Sequence, residues 1–206
     1  EHEIQKTGVT VKRNVEVTEA MLLKDPPDAV VIATGAVPYK PPGQFEEAHV
    51  VTAWEVLENG ANVGQSVVVA DWRCDWIGLG IAEKLAAEGC SVRLCVNGEM
   101  AGQLLHAFLR YQWVGRLHRL GVEVVPYVRP FGADADTVYM QHVMTEAPVV
   151  YEDVDTLVLA YGHASVIDLF HALNGKIENL HAVGDCLSPR TAEEAVYEGL
   201  KAGLAV

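Results

Sequence analysis

Residues Val67 to Val96 read VVVADWRCDWIGLGIAEKLAAEGCSVRLCV, and this stretch decides the fold. Val67 to Ala70 is a short apolar, β-branched run, the pattern of a strand buried on both faces. Ile77 to Ala87 spaces its apolar residues as a helix does until Gly89 stops it, and Ser91 to Val96 follows as a second strand. Strand, tight turn, helix and strand in such close succession make one right-handed βαβ unit.

A βαβ unit of this kind is the nucleotide-binding half of a Rossmann-type parallel sheet. Its first turn ordinarily reads G-x-G-x-x-G, because a pyrophosphate reaches the helix N-terminus only where no side chain blocks the backbone. Here the turn reads Asp71-Trp72-Arg73-Cys74-Asp75-Trp76-Ile77-Gly78. Gly78 keeps the place of the last glycine, Trp72 and Cys74 stand about where the first two would be, and Asp71 and Asp75 add negative charge. Two readings follow: a modified NAD(P)H site in which Arg73 supplies the anion contact, or a unit kept for packing with Asp75 as helix N-cap. Past the second strand, where an acid would hold a ribose, stands Asn97, either a ribose partner or a turn residue.

The chain of 206 residues is 50% hydrophobic, enough for a core in one or two domains. Its net charge of −13 argues against nucleic acid and anionic membrane surfaces as partners. No apolar run reaches the length of a membrane span and no secretory segment opens the chain, so the expected compartment is the cytoplasm. Cys74, Cys90, Cys95 and Cys186 form no C-x-x-C pair and the histidines show no ligand spacing, so no metal site is assigned. Ser165 and Ser188 lack a nucleophile elbow, which sets hydrolase chemistry aside.

Taken in order, residues 1 to 8 read as the tail of a helix closed by Gly8. Ala29 to Ala33 reads as a buried strand ending in the small turn Ala33-Thr34-Gly35, and Pro38 to Gly43 as a stiff connector. Thr52 caps a short helix, and Asn59 to Gln65 is a loop into the central unit. Gln103 to Leu120 reads as a helix, Gly121 to Tyr127 as a strand, Thr137 to Met144 as an edge strand and Tyr151 to Ala160 as one buried strand. Leu180 to Gly184 is a last strand, and Asp185 starts the turn into the helix Thr191 to Ala205. A carboxylate there lies outside the carboxyl ends of a parallel sheet, where it accepts hydrogen bonds from sugar hydroxyls or charges a helix N-terminus. Ala33, Thr34 and Gly35 would stand beside Gly184 and Asp185.

The segments DAVVIATGAVP (Asp28 to Pro38), DWIGLGIAEKLAAEG (Asp75 to Gly89), VRLCVNG (Val92 to Gly98), LHRLGVEVVPY (Leu117 to Tyr127), VDTLVLAYGH (Val154 to His163) and AVGDCLSPRTAEEAVYEGLKAG (Ala182 to Gly203) occur in this order. On them the sequence resembles the C-terminal nucleotide-binding portion of the NADH:flavin oxidoreductases related to trimethylamine, histamine and dimethylglycine-type dehydrogenases and to dienoyl-CoA reductase. The resemblance implies an α/β fold in which a Rossmann-like NAD-type domain, residues 59–148, is inserted in a truncated FAD-type, glutathione-reductase-like domain, residues 1–58 and 149–206. It also implies a longer parent with an N-terminal TIM barrel carrying FMN and a 4Fe-4S cluster. FAD or ADP would occupy the FAD-type domain and NAD(P)H the inserted one. Lacking the first FAD-type βαβ unit, the fragment alone is expected to be empty and inactive. The implied partners are a small-molecule nucleotide and the parent's barrel, with a second copy of the chain admitted. Substrate chemistry would occur on the barrel's FMN, so no residue here is assigned a catalytic role.

Overall fold

The computed structural model describes Ile4, residues 6–45, residues 47–58 and residues 60–206. Most of the expected N-terminal helix tail and the start of the Asn59 loop lie outside the described residues. The chain divides into two compact units, one of residues 1–36 and 165–206, the other of residues 37–164.

The larger unit is built on a five-stranded sheet in the order β3-β10-β4-β5-β6. Its strands are β3 (Val50–Thr52), β4 (Ser66–Asp71), β5 (Ser91–Val96), β6 (Glu123–Val125) and β10 (Thr156–Ala160), all parallel. Alternate residues of each strand feed two cores, because successive side chains point to opposite faces. Val67, Val69, Leu94 and Val158 pack under α2 (Ala53–Glu58), α3 (Trp76–Ala87) and α4 (Ala107–Arg119). Val68, Ala70, Leu157 and Leu159 pack instead against the antiparallel sheet β7 (Val128–Asp134), β8 (Thr137–His142) and β9 (Pro148–Tyr151). The unit is thus three layers thick: helices, parallel sheet, antiparallel sheet. Leu79, Leu85 and Leu94 are essentially fully buried, each contributing about 2 kcal/mol of transfer free energy.

The central βαβ unit forms as its sequence indicates, and Asp75 is the N-cap of α3, accepting from the Ile77 N–H at 2.9 Å. Thr52 and Glu55 bond reciprocally at the start of α2. Three expectations change. β8 is the middle strand of its sheet, not an edge, because two-residue alternation reports a buried face and says nothing of which side is paired. Tyr151 to Ala160 is two strands, β9 and β10, since Asp153 takes a left-handed φ of 56° that breaks the run. The helix expected from Gln103 starts at Ala107, after residues 98–104 have folded against the central turn. The compact division at 36/37 and 164/165 also differs in extent from the domain borders read at 58/59 and 148/149. β3 and β10 pair with each other, and β10 with β4, which draws both into the larger unit.

The smaller unit holds a two-stranded parallel sheet, β1 (Val30–Ile32) with β12 (Leu180–Ala182), packed on α1 (Glu19–Lys24) and α5 (Asp168–Leu173). A single 3₁₀ turn, Gly184–Cys186, then leads to α6 (Ala192–Ala205), whose start carries the Thr191–Glu194 capping box. The short strands β2 (Ala36–Pro38) and β11 (His163–Ser165) pair as a separate two-stranded sheet.

Candidate functional site

In the smaller unit the expected corner is assembled. Ile32 stands in register with Ala182, and the Val183 N–H donates to the Ile32 carbonyl at 3.0 Å, so the chain leaves β1 and β12 side by side. Ala33, Thr34 and Gly35 therefore flank Gly184 and Asp185. Gly35 accepts the Val166 N–H at 3.0 Å, the Thr34 hydroxyl donates to the Val166 carbonyl, and the Ser165 hydroxyl donates to the Asp185 carbonyl at 2.8 Å. Gly35 has φ 75° with open space where a Cβ would be, so backbone is presented there without a side chain. The Gly184 N–H donates to Glu198 Oε2 at 2.8 Å, and Arg190 pairs with the same carboxylate. Those bonds hold the Glu198 carboxyl below its ordinary range, the Gly184 N–H being the largest cause. Asp185 is half-buried, and among the described residues its Oδ1 accepts only a long bond from the Arg190 N–H, 3.4 Å. A carboxylate so placed retains acceptor capacity for a hydroxyl.

In the larger unit the central turn is occupied by its own side chains. Asp71 is 2% exposed; its Oδ1 accepts the Cys74 N–H at 2.9 Å, while Oδ2 is buried without a partner among the described residues. Burial, helped by the Asp75 charge and opposed by the Cys74 N–H, pushes its pKa up to about 7. Gly78 survives because a Cβ there would meet the Asp71 carboxyl at 2.4 Å. Cys74 takes a left-handed φ of 51°, the conformation a glycine would favour, and its thiol, pushed up to about 11 chiefly by burial, lies 3.2 Å from Asn97 Oδ1. Arg73 bonds Asp75 at 2.6 Å. Arg73, Asp71, Gly78 and Asn97 are brought together, but as one internally bonded cluster. His163 accepts the Trp54 indole N–H at 2.8 Å.

Sequence reasoning missed a second feature of this unit. Trp72 and Tyr161, the residues that follow β4 and β10, pair with ring centroids 5.4 Å apart and border a concavity of about 1320 Å³. Arg129, at the start of β7, lines it too. From the sequence Trp72 reads as a side chain standing where a phosphate-cradling glycine would be, and nothing local links it to a residue 89 positions on in the chain.

The three-layer unit, inserted in sequence between the two halves of the smaller one, defines the class by its fold: domains of the FAD/NAD-binding type found in flavoenzymes. Among curated proteins the chain is similar to a metal reductase of Desulforamulus reducens, 28% identical over 199 residues, covering 82% of this chain and 29% of the relative. It is also similar to the N,N-dimethylglycine/sarcosine dehydrogenase of Chromohalobacter salexigens, 23% identical, covering 97% of this chain and 34% of the relative. Among solved structures, a 2-naphthoyl-CoA reductase matches with a TM-score of 0.84 at 25% identity, covering all of this chain and 31% of that one. The chain spans about a third of the length of the curated relatives it matches. No family model matches it. Its likeness is thus to a region of larger oxidoreductases of the flavin-dependent kind. No described helix is long and apolar enough to cross a membrane.

Proposed function

We propose that this chain is a nucleotide-binding region of a flavin-dependent oxidoreductase, of the NADH:flavin oxidoreductase or N-methyl amine dehydrogenase type, in a parent about three times its length. The observation that carries the reading is the parallel register Ile32 to Ala182, which joins the Ala33-Thr34-Gly35 turn to Gly184-Asp185. That corner fits the sugar of an FAD or ADP: open backbone at Gly35 and a half-buried carboxylate with spare acceptor capacity at Asp185. Asp185 would accept from a sugar or ribityl hydroxyl, and Glu198 keeps the Gly184 turn in place beneath it. A bound flavin would supply the electron-carrying ring; this chain's residues position the nucleotide.

The central turn does not fit a dinucleotide. A pyrophosphate at the N-terminus of α3 would meet Asp71 and Asp75 where it needs bare N–H groups, and Arg73 is engaged by Asp75. This favours a second reading for the larger unit, a redox-silent module that supports assembly of the parent. The test is anaerobic reduction of the full-length parent with NADH, NADPH and an N-methylated amine. Flavin bleaching by the amine and not by either nicotinamide supports the silent unit; rapid bleaching by NADH or NADPH overturns it. Asp185→Ala in the parent should release most of its bound adenine nucleotide, read by mass spectrometry of the denatured supernatant; unchanged retention would remove Asp185 from the site.

A further inference from the structure

We propose that the crevice between the carboxyl ends of β4 and β10, on the antiparallel-sheet side, binds a planar aromatic anion, its ring against Trp72 and Tyr161 and its charge on Arg129. The sheet order supplies the place. β5 and β6 lie on one side of β4, and β10 and β3 on the other, so the winding reverses between β4 and β10. Open α/β sheets bind ligands at such a reversal, outside the strand ends. The helix-side half of the reversal is filled by the Asp71, Arg73 and Asp75 cluster, which leaves the other half.

That half presents aromatic surface. The Trp72 N–H donates to the Ala160 carbonyl at 3.3 Å, which fixes the turn, while the Trp72 side of the pair stays 44% exposed. The two rings lie at 32° to each other, and the exposed part of Trp72 offers indole surface to a third flat group. Burial raises the Tyr161 phenol's pKa, so it is a neutral donor and acceptor at physiological pH.

Arg129 supplies the charge. Gln141 Oε1 accepts its Nε and Nη2 at 3.3 and 2.9 Å, so the guanidinium is held by a neutral amide. Arg73, Arg93, Arg116 and Arg190 each have a carboxylate partner; among the described residues Arg129, like Arg110 and Arg119, has no ion pair, and of these three it is the one that lines the concavity, in a chain of net charge −13. Glu47, Asp134 and Glu146 also border the concavity. Glu146 joins the Arg129 end, its backbone carbonyl accepting from the Gln141 amide at 3.3 Å, so Arg129 would hold the anion against a partly acidic lining. At about 1320 Å³ the space exceeds the roughly 300–1,000 Å³ of drug-sized pockets, so a ring-sized ligand fills one end of it. Every residue used lies in the larger unit, and the proposal stands or falls apart from the nucleotide corner.

The test is calorimetric titration of the 206-residue chain with 2-naphthoate and with its neutral analogue 2-naphthalenemethanol. The carboxylate should bind saturably and about tenfold or more tighter than the alcohol, the worth of a charge-assisted pair. Arg129→Gln, an exposed position, should abolish that preference, and Trp72→Ala should weaken both probes, with Trp72→Phe restoring part of the affinity. Absence of saturable naphthoate binding, equal affinity for the two probes on the unmodified chain, or a preference that survives Arg129→Gln would each overturn the proposal.

Discussion

A Cβ placed on Gly78 would stand 2.4 Å from the Asp71 carboxyl group, so the glycine that lets α3 start close to β4 makes room here for a side chain of the same turn. Gly78→Ala should therefore destabilise the chain by about 1–3 kcal/mol through overpacking, despite alanine's better helix propensity. Adding Asp71→Ala should recover much of that loss. Urea unfolding of the two variants checks it; equal stability of Gly78→Ala and the unmodified chain would mean the carboxylate has room to move aside.

Asp71 also makes stability depend on pH. Its pKa rises on folding from an ordinary 3.8 to about 7, so the folded state holds the proton more tightly than the unfolded chain. Stability should then fall as pH rises through that window and level off above it, by an amount on the order of a few kcal/mol. Asp71→Asn keeps an acceptor for the Cys74 N–H and cannot ionise. Its melting temperature relative to the unmodified chain should be higher at pH 8 than at pH 5; a pH-independent difference would show the carboxyl ionised throughout.

Asp75 has two jobs that substitutions separate. Asp75→Ala removes the cap of α3 and should cost about 1 kcal/mol, as lost N-caps do, whereas Asp75→Asn keeps the Ile77 N–H bond and should cost only a few tenths. The asparagine variant also loses the ion pair to Arg73, whose two side chains are only 26% and 10% exposed, so any cost beyond those few tenths measures that pair. Denaturant titrations rank the three proteins.

Glu198 ties the Gly184 turn to α6. Its carboxyl is held below the ordinary 4.5, first by the Gly184 N–H and then by Arg190, so its contribution is present above that value and is lost as the pH falls through the lowered one. The gap in melting temperature between the unmodified chain and Glu198→Gln should shrink between pH 7 and pH 3. A constant gap would assign the stabilisation to something other than the charge.

Much of the fold was legible because it rests on local signals. Buried β-branched runs gave β4, β5 and β10, the 3.6-residue spacing gave α3, and the short polar side chain of Asp75 announced its cap. The corner was legible for a related reason: a small-residue turn after one strand and Gly-Asp after another can meet only if the two strands are neighbours, as β1 and β12 are. The middle position of β8 was not legible, since alternation marks which face is buried and not which edges are paired.

The sequence by itself determined the α/β class, the central unit and the replacement of its turn's glycines by side chains, because each depends on residues within one or two turns of each other. Only the tertiary structure decided that Asp71 is buried with an oxygen unpartnered among the described residues and that Trp72 meets Tyr161 in a concavity that Arg129 also lines. Burial and long-range adjacency follow from how the three layers close over the strand ends, and residues as far apart in the chain as Trp72, Arg129 and Tyr161 carry no local mark of that meeting.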